Sequence, residues 1–351
     1  MDANQYRKLS VKEAVTHLNY DEAAYLAANP DIADAVKRGL FAVGKEHFDA
    51  IGHTENRLQL HLGSNLLPYT LLESHNLPSF SDLSEEYPDD KVPPLDRKDI
   101  DESRLSWDQL HWRRFGFLVL PKFLPEQLID AYLAHRERSG VGLGRFENNV
   151  NAGTSPHILD IGCFKPLAEK IDELFGEELL FNFTLTKFTS TERDWHQDDY
   201  LGSPNVYGRY CAAWMAMDDV HPDSGPFEFV PGSHHWPGLR GALVKQYLTA
   251  EAREWMGRAD EPGHWSTIAE VFTTPAIDVE IARRASPTQR FQARRGDVLI
   301  WHGKLVHRGT RAAVPGMRRP ALIAHYYPVD QDPAQKIVRH NGGGIYSRNK
   351  S

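Results

Sequence analysis

Cysteine is scarce in this chain. Only two of the 351 residues are cysteines, Cys163 and Cys211, and neither a CxxC pair nor another zinc-ligand spacing occurs. A small disulfide-dependent domain needs several cysteine pairs, and a structural zinc site needs closely spaced thiolates. The sequence therefore argues against a disulfide scaffold and against a structural zinc site.

An excess of positive charge and a long apolar run are also missing. The 40 Lys and Arg residues are outnumbered by 48 Asp and Glu residues, the net charge is −8, and no extended basic stretch occurs. This balance argues against a general nucleic-acid binder or anionic-membrane binder. No apolar run approaches membrane-spanning length, and the first residues lack a basic and apolar leader. We therefore predict a cytoplasmic protein with neither membrane nor nucleic-acid partners.

The chain does contain enough apolar sequence for one large core and a smaller one, since 41% of its residues are hydrophobic. Short helical patterns, broken at Asn29-Pro30, predict a small helical accessory module over residues 1–58. Several prolines and an acidic run then predict a linker over residues 59–102.

The main domain is predicted over residues 103–330. Ser106 is expected to cap a helix that Gly116 ends, and from residue 181 onward short apolar strands alternate with tight turns. Such strands favour an antiparallel barrel or jelly roll with flanking helices over a doubly wound sheet. The predicted fold class is therefore mainly β.

A helical insertion, residues 235–290, separates two groups of these strands. It could lie over the barrel mouth as a lid or pack on the barrel's flank as a surface excursion, and the sequence leaves both interpretations open. Its tryptophans and basic residues would suit an anionic or amphipathic small-molecule substrate. Residues 331–351 are predicted to be a C-terminal tail.

The candidate chemistry centres on His196 and Asp198, which are two residues apart. On a β-strand both side chains would leave the same face. One such pair is a weak signal, but a second histidine, His307, follows downstream, whereas His302 would face outward. Two histidines and one carboxylate that leave coordination positions open form the facial triad of non-haem Fe(II) oxygenases.

Residues from about 103 to 330 resemble the phytanoyl-CoA dioxygenase family of Fe(II)- and 2-oxoglutarate-dependent oxygenases. The resemblance implies a double-stranded β-helix, a jelly roll of the cupin kind. The motifs that carry it are Phe115–Leu120, Trp195–Asp198, Trp214–Asp219, Asp223–Phe227, Val230–His234, Gly296–Leu299 and His307–Gly309.

The resemblance assigns Fe(II) to His196, Asp198 and His307, with 2-oxoglutarate and O2 as cosubstrates. It implies that 2-oxoglutarate is decarboxylated to succinate and CO2 while a small-molecule substrate is hydroxylated. Related halogenating members have a small residue at the carboxylate position, so Asp198 favours hydroxylation over halogenation. Desaturation and oxidative cyclisation would use the same residues.

The family also has an arginine that binds the far carboxylate of 2-oxoglutarate, a task that suits a planar guanidinium. Counting from His307 points to Arg318, whereas alignment on the following strand points to Arg319. We favour Arg319, because a loop tolerates an extra residue more easily than a strand tolerates a slip. Trp214 matches a family tryptophan near the cosubstrate, and Gly309 stands where many members have a small hydroxyl residue.

A second class of function stays open. A cupin-type barrel could keep the metal without 2-oxoglutarate, as a metal-dependent isomerase or a metal-binding protein. The Arg318-Arg319 pair discriminates between the two classes, since a metal-only barrel has no reason to place an arginine there.

Overall fold

The structure is a computed structural model that describes residues 12–17, 20–55, 57–60, 78–140, 147–149, 155–201, 208–248, 264–314, 316–331 and 335–348. The helices, in chain order, are α1 (Glu22–Ala28), α2 (Pro30–Lys37), α3 (Gly44–His47), α4 (Phe80–Leu83), α5 (Trp107–Phe115), α6 (Glu126–Arg138), α7 (Pro156–Gly162), α8 (Lys165–Phe175), α9 (Gly241–Gln246) and α10 (His264–Arg283).

The strands, in chain order, are β1 (Lys12–Ala14), β2 (Leu58–Leu60), β3 (Ser84–Glu85), β4 (Phe117–Leu120), β5 (Glu147–Asn149), β6 (Leu179–Thr186), β7 (Cys211–Ala216), β8 (Phe227–Phe229), β9 (Gly238–Leu239), β10 (Gln289–Phe291), β11 (Val298–His302), β12 (His307–Gly309), β13 (Ala321–Pro328), β14 (Lys336–Arg339) and β15 (Ile345–Arg348). The chain divides into two compact units, one of residues 1–83 and 241–285 and the other of residues 84–240 and 286–351.

The first unit is largely helical in its described part. The Asp21 carboxylate caps α1 by accepting a hydrogen bond of 2.8 Å from the Ala24 amide. α10 contacts α4 and α9, so the described helices of the insertion share this unit with the N-terminal residues. The lid role considered for residues 235–290 stays a prediction, and residues 249–263 lie outside the described part of the chain. A small buried core is formed by Tyr25, Ile32 and Phe48.

The described part of the second unit contains the site, a large mixed sheet, a small three-stranded sheet and the two-stranded pair of β3 with β9. Its large sheet has the strand order β14-β15-β6-β13-β7-β11-β4, with β5 also paired to β6. Every pairing in this sheet is antiparallel except β15 with β6. The small sheet has the order β10-β8-β12 and is antiparallel throughout.

Strand β7 shows how the two faces of the large sheet are used. Its residues are all buried, but they alternate between two clusters. Cys211, Ala213 and Met215 pack with helices α6, α7 and α8 on the outer face. Ala212, Trp214 and Ala216 pack toward the small sheet, together with Phe227, Phe229 and Phe291. Two sheets with a shared apolar interior and helices outside one of them confirm the predicted jelly roll.

The residues just before β4 form the helix cap and the helix end that the sequence predicts. Ser106 and Gln109 form a reciprocal capping box at the start of α5, and Gly116 ends the helix with a left-handed φ of 73°. A Cβ on residue 116 would also collide with the His234 ring. Glycine therefore meets both a backbone and a packing requirement here before β4 begins.

Two segments of the second unit differ from the predicted linker and tail. Leu95, inside the segment predicted as a linker, is 5% exposed and packs in the outer core. The predicted tail contributes β14 and β15, joined through Asn341 and Gly342, which both have positive φ. Residues 61–77 of the predicted linker lie outside the described residues.

Among the described helices, none is both long enough and apolar enough to cross a membrane.

Candidate active site

The structure brings the three predicted metal ligands together. His196 and His307 exchange two backbone hydrogen bonds of 3.0 Å. These bonds hold His196 beside the first residue of β12. The His196 Nε2 atom lies 3.6 Å from Asp198 Oδ1, and the His307 Nε2 atom lies 3.4 Å from Asp198 Oδ2. One ligand atom from each residue lies within 4.8 Å of the others. One metal ion could therefore be held by all three.

His196 and Asp198 converge for a reason other than a shared face of a β-strand. Only His196 makes a strand-like bridge; the Asp198 amide donates to the Gly303 carbonyl at 2.9 Å, and a 3-10 turn follows directly. The expectation of a continuous β-strand through both residues is wrong. The backbone contact with Gly303 turns the carboxylate toward the histidines instead.

Hydrogen bonds fix which ring nitrogens face the centre. The Nδ1 atom of His196 lies 2.6 Å from the Asp194 carbonyl, and the Nδ1 atom of His307 lies 2.8 Å from the Leu305 carbonyl. A carbonyl can only accept, so both Nδ1 atoms carry the proton and both Nε2 lone pairs face Asp198. Burial lowers the pKa of both imidazoles, which keeps them neutral and ready to bind a cation.

The Asp198 carboxylate is held by three side chains that the sequence analysis did not single out. The Trp301 indole N–H donates to Oδ2 at 3.2 Å, and the Tyr210 hydroxyl donates to the same oxygen at 3.5 Å. The Arg193 guanidinium lies 3.7 Å from Oδ1. Tyr210 also hydrogen-bonds His325, a histidine whose pKa burial lowers to about 4. These contacts orient the carboxylate toward the two imidazoles.

The two candidate arginines point in opposite directions. Arg318 is exposed, with its guanidinium 5.7 Å from the Phe188 ring centre. Arg319 is 2% exposed; its Nη1 donates to the Gly225 carbonyl at 2.5 Å, and its guanidinium lies 5.8 Å from the Trp214 ring centre. Burial lowers the pKa of Arg319 to about 10, so the group is still charged at neutral pH. Within the described residues it forms no ion pair.

Unsatisfied polar atoms cluster around this arginine. The Nε atom of Arg319 and the indole nitrogen of Trp214, whose ring centre lies 5.8 Å from the guanidinium, are buried without a hydrogen-bond partner among the described residues. A native interior leaves few such atoms, so their presence indicates room for a ligand that carries hydrogen-bond acceptors. The interior therefore offers a cation and donors to a ligand beside the three converging side chains.

Comparison with known proteins fits this geometry. Residues 112–319 match the family model described as phytanoyl-CoA dioxygenase (PhyH). The chain belongs to the phytanoyl-CoA dioxygenase family. The matched segment contains the two histidines and the aspartate, and it ends at Arg319.

This PhyH protein has low sequence identity to an individual relative of known activity. It is 25% identical over 146 residues to the L-proline trans-4-hydroxylase of Streptomyces griseoviridis, a match that covers 41% of the chain and 48% of the relative. The chain thus spans about half the length of this curated relative.

Two solved structures are similar at still lower identity. The carbocyclase SnoK from nogalamycin biosynthesis has 20% identity and a TM-score of 0.45, with 65% of this chain and 86% of SnoK covered. EctD from S. alaskensis with 2-oxoglutarate and 5-hydroxyectoine has 16% identity and a TM-score of 0.46, with 76% of this chain and 89% of EctD covered.

Two further positions in the motifs of this PhyH protein, His302 and Gly309, supply no metal ligand. His302 faces away from the triad, as expected, and its Nε2 atom donates to Asp96 at 3.0 Å. Gly309 has no side chain, and a Cβ there would collide with the Thr191 hydroxyl. Thr191 thus occupies the place that a side chain on residue 309 would fill. The sequence does not indicate that Thr191 lies beside Gly309, because the two residues are distant in the chain.

Proposed function

We propose that this protein is an Fe(II)- and 2-oxoglutarate-dependent oxygenase that hydroxylates a small molecule. The observation that carries the proposal is the convergence of two neutral imidazoles and one carboxylate, with ligand atoms within 4.8 Å of one another. Three protein ligands leave half of an octahedral coordination sphere open, which is what a chelating 2-oxo acid and O2 require. His196, Asp198 and His307 are the proposed metal ligands.

The residues around the triad fit this cosubstrate. Arg319 would bind the far carboxylate of 2-oxoglutarate, because a buried guanidinium without an ion-pair partner among the described residues needs an anion. The unsatisfied indole nitrogen of Trp214 would donate to the same ligand. A metal-only barrel gives no reason to bury this arginine, so the geometry favours the oxygenase over the isomerase or binding-protein alternative.

Bound Fe(II), 2-oxoglutarate and O2 would together supply the oxidising chemistry, in which one oxygen atom of O2 converts 2-oxoglutarate to succinate and CO2. The chain's own residues hold and orient these groups. Trp301 and Tyr210 hold Oδ2 of Asp198, while Oδ1 lies 3.6 Å from His196 Nε2 and 3.7 Å from the Arg193 guanidinium. Because Asp198 fills the carboxylate position, no protein ligand is missing from the triad, and hydroxylation is the proposed outcome.

Oxygen-dependent conversion of 2-oxoglutarate to succinate tests the proposal. We expect wild type with Fe(II) to release succinate slowly without substrate, and faster with a true substrate. Because a relative is an L-proline trans-4-hydroxylase, L-proline and related small amino acids are the first substrates to screen. His307→Ala should abolish succinate release, whereas the control His221→Ala, at a side chain that is 57% exposed, should not. Binding of Fe(II) without any succinate release would favour the metal-only barrel.

A further inference from the structure

A cavity lies away from the triad, and none of the proposed metal ligands lines it. Its volume is about 150 Å³, which would hold about five water molecules or one small organic molecule. All of its lining residues belong to the second unit. We call it the Lys304 cavity; the residues that matter here are Glu86, Tyr87, Asp96, Arg113, His235 and Lys304.

The ammonium group of Lys304 is the first unusual feature of this cavity. Lys304 is 8% exposed, and its Nζ atom lies 4.8 Å from the centre of the Tyr87 ring. Within the described part of the chain, no hydrogen bond or ion pair of this ammonium is found. A lysine ammonium has three donors, and burying it without acceptors is costly. A ligand with an anionic oxygen would supply the missing acceptor.

The carboxylate of Asp96 is the second feature. Its Oδ2 atom accepts a hydrogen bond of 3.0 Å from His302, but its Oδ1 atom is buried and has no partner among the described residues. The Oδ1 atom therefore lacks a hydrogen-bond donor, which a ligand could supply. One cavity thus contains a buried cation that lacks an acceptor and a buried carboxylate oxygen that lacks a donor.

The charges near Lys304 indicate that the ligand has no net charge. The cavity is lined by three carboxylates, those of Glu86, Asp89 and Asp96, and by three cationic side chains, those of Lys98, Arg113 and Lys304, so neither sign of charge is in excess. A simple anion would be repelled by these carboxylates, and a simple cation by Lys304 itself. A molecule that carries both charges satisfies both sides. Charge-assisted hydrogen bonds are roughly twice as strong as neutral ones, which favours a zwitterion over an uncharged polyol.

We propose that the Lys304 cavity binds a small zwitterion of the α-amino-acid class, with its carboxylate on Lys304 and its ammonium group on Asp96. The cavity is separate from the proposed oxygenase centre, but two of its residues contact the loop that carries His196 and Asp198. The Tyr87 hydroxyl donates to Asp199 at 2.6 Å, and the Lys304 carbonyl accepts from the Gln197 side chain at 2.9 Å. The proposal does not depend on the oxygenase activity.

Calorimetric titration of the full chain, loaded anaerobically with Fe(II) and 2-oxoglutarate, tests the proposal with four probes. L-alanine carries both charges, propionate lacks the ammonium group, ethylamine lacks the carboxylate, and glycerol is an uncharged polyol. We expect L-alanine to bind with a dissociation constant on the order of 1 mM. The other three should bind at least about 10-fold more weakly, because each lacks one charge-assisted hydrogen bond or both.

The variant Lys304→Met locates the binding. It replaces a buried charge with an apolar side chain of similar length, so we expect it to fold and to lose at least about 10-fold in L-alanine affinity. The control Lys165→Met, at an exposed lysine on α8, should bind like wild type. Both variants should keep the Fe(II)–2-oxoglutarate charge-transfer band, which separates this site from the oxygenase centre.

Asp96→Asn gives a second, independent variant if Lys304→Met does not fold. An amide can still accept the hydrogen bond from His302 while it presents an N–H group to the cavity. L-alanine should then lose its advantage and propionate should bind as well as it does. The proposal is overturned if L-alanine does not bind to wild type, if propionate, ethylamine or glycerol binds equally well, or if Lys304→Met keeps the wild-type affinity.

Discussion

Replacement of Arg319 by methionine separates the cost of burying its charge from the function of that charge. The guanidinium is 2% exposed, and within the described residues its only hydrogen bond is the one that Nη1 donates to the Gly225 carbonyl. Its pKa falls from 12.5 to about 10 through burial, and this fall corresponds to about 3 kcal/mol of destabilisation at neutral pH. Methionine fills much of the same volume without a charge.

Two effects of opposite sign should follow. Without ligand, Arg319→Met should be more stable than wild type by about 1 kcal/mol, because the lost hydrogen bond to Gly225 offsets part of the relieved burial cost. With Fe(II) present, its affinity for 2-oxoglutarate should fall by about 30-fold or more, since truncating one partner of a buried charge pair costs about 2–5 kcal/mol. Arg318→Met, at the exposed neighbour, is the matched control and should change neither quantity much.

Urea unfolding measures the first effect, and anaerobic titration of the Fe(II) protein with 2-oxoglutarate measures the second. The two assays together exclude simple misfolding as the cause of weak binding. The reasoning is refuted if Arg319→Met binds 2-oxoglutarate within threefold of wild type, or if Arg318→Met loses as much affinity as Arg319→Met does.

Three further substitutions test other parts of the structure. Trp301→Phe removes the donor 3.2 Å from Asp198, so Fe(II) affinity in a metal titration should fall about 10-fold; unchanged affinity would contradict the positioning role. Burial raises the pKa of Asp172 from 3.8 to about 6, so the ionised form destabilises the fold as the pH rises through 4–6. Asp172→Asn should therefore stabilise the protein by about 1 kcal/mol in urea unfolding at pH 8 but little at pH 4, and an equal effect at both would count against this cause. Gly309→Ala should lower stability in urea unfolding by about 1 kcal/mol, because its Cβ would collide with the Thr191 Oγ1 atom, and wild-type stability would contradict this clash.

The sequence predicted the jelly roll because its strands, turns and motifs are local patterns. Arg319 could be preferred over Arg318 because a loop tolerates an extra residue more easily than a strand tolerates a slip, and the structure buries Arg319 and exposes Arg318. The convergence of His196 and Asp198 was expected for a different reason, since a contact with Gly303 and not a strand orients the carboxylate. The spacing of the two residues still indicated that their side chains converge, although the backbone of this segment is not a continuous strand.

Features that depend on contacts between distant segments could not be predicted. Trp301 reaches Asp198 only because the loop carrying Asp198 folds against the end of β11. Thr191 fills the space beside Gly309 across a similar distance in the chain. The Lys304 cavity is lined by several separate segments, and Lys304 alone looks like an ordinary loop lysine in the sequence. The turn at Asn341-Gly342 was a local signal for a hairpin, and it could have revealed β14 and β15.

The most direct test of the proposed function is anaerobic titration of the metal-free protein with Fe(II) and then 2-oxoglutarate, followed by visible absorption. A chelate of 2-oxoglutarate on Fe(II) gives a weak metal-to-ligand charge-transfer band. The proposal predicts this band in wild type and in the control His221→Ala, and its loss in His196→Ala. Fe(II) binding by wild type without the band at millimolar 2-oxoglutarate would contradict the oxygenase proposal and indicate a metal barrel of another kind.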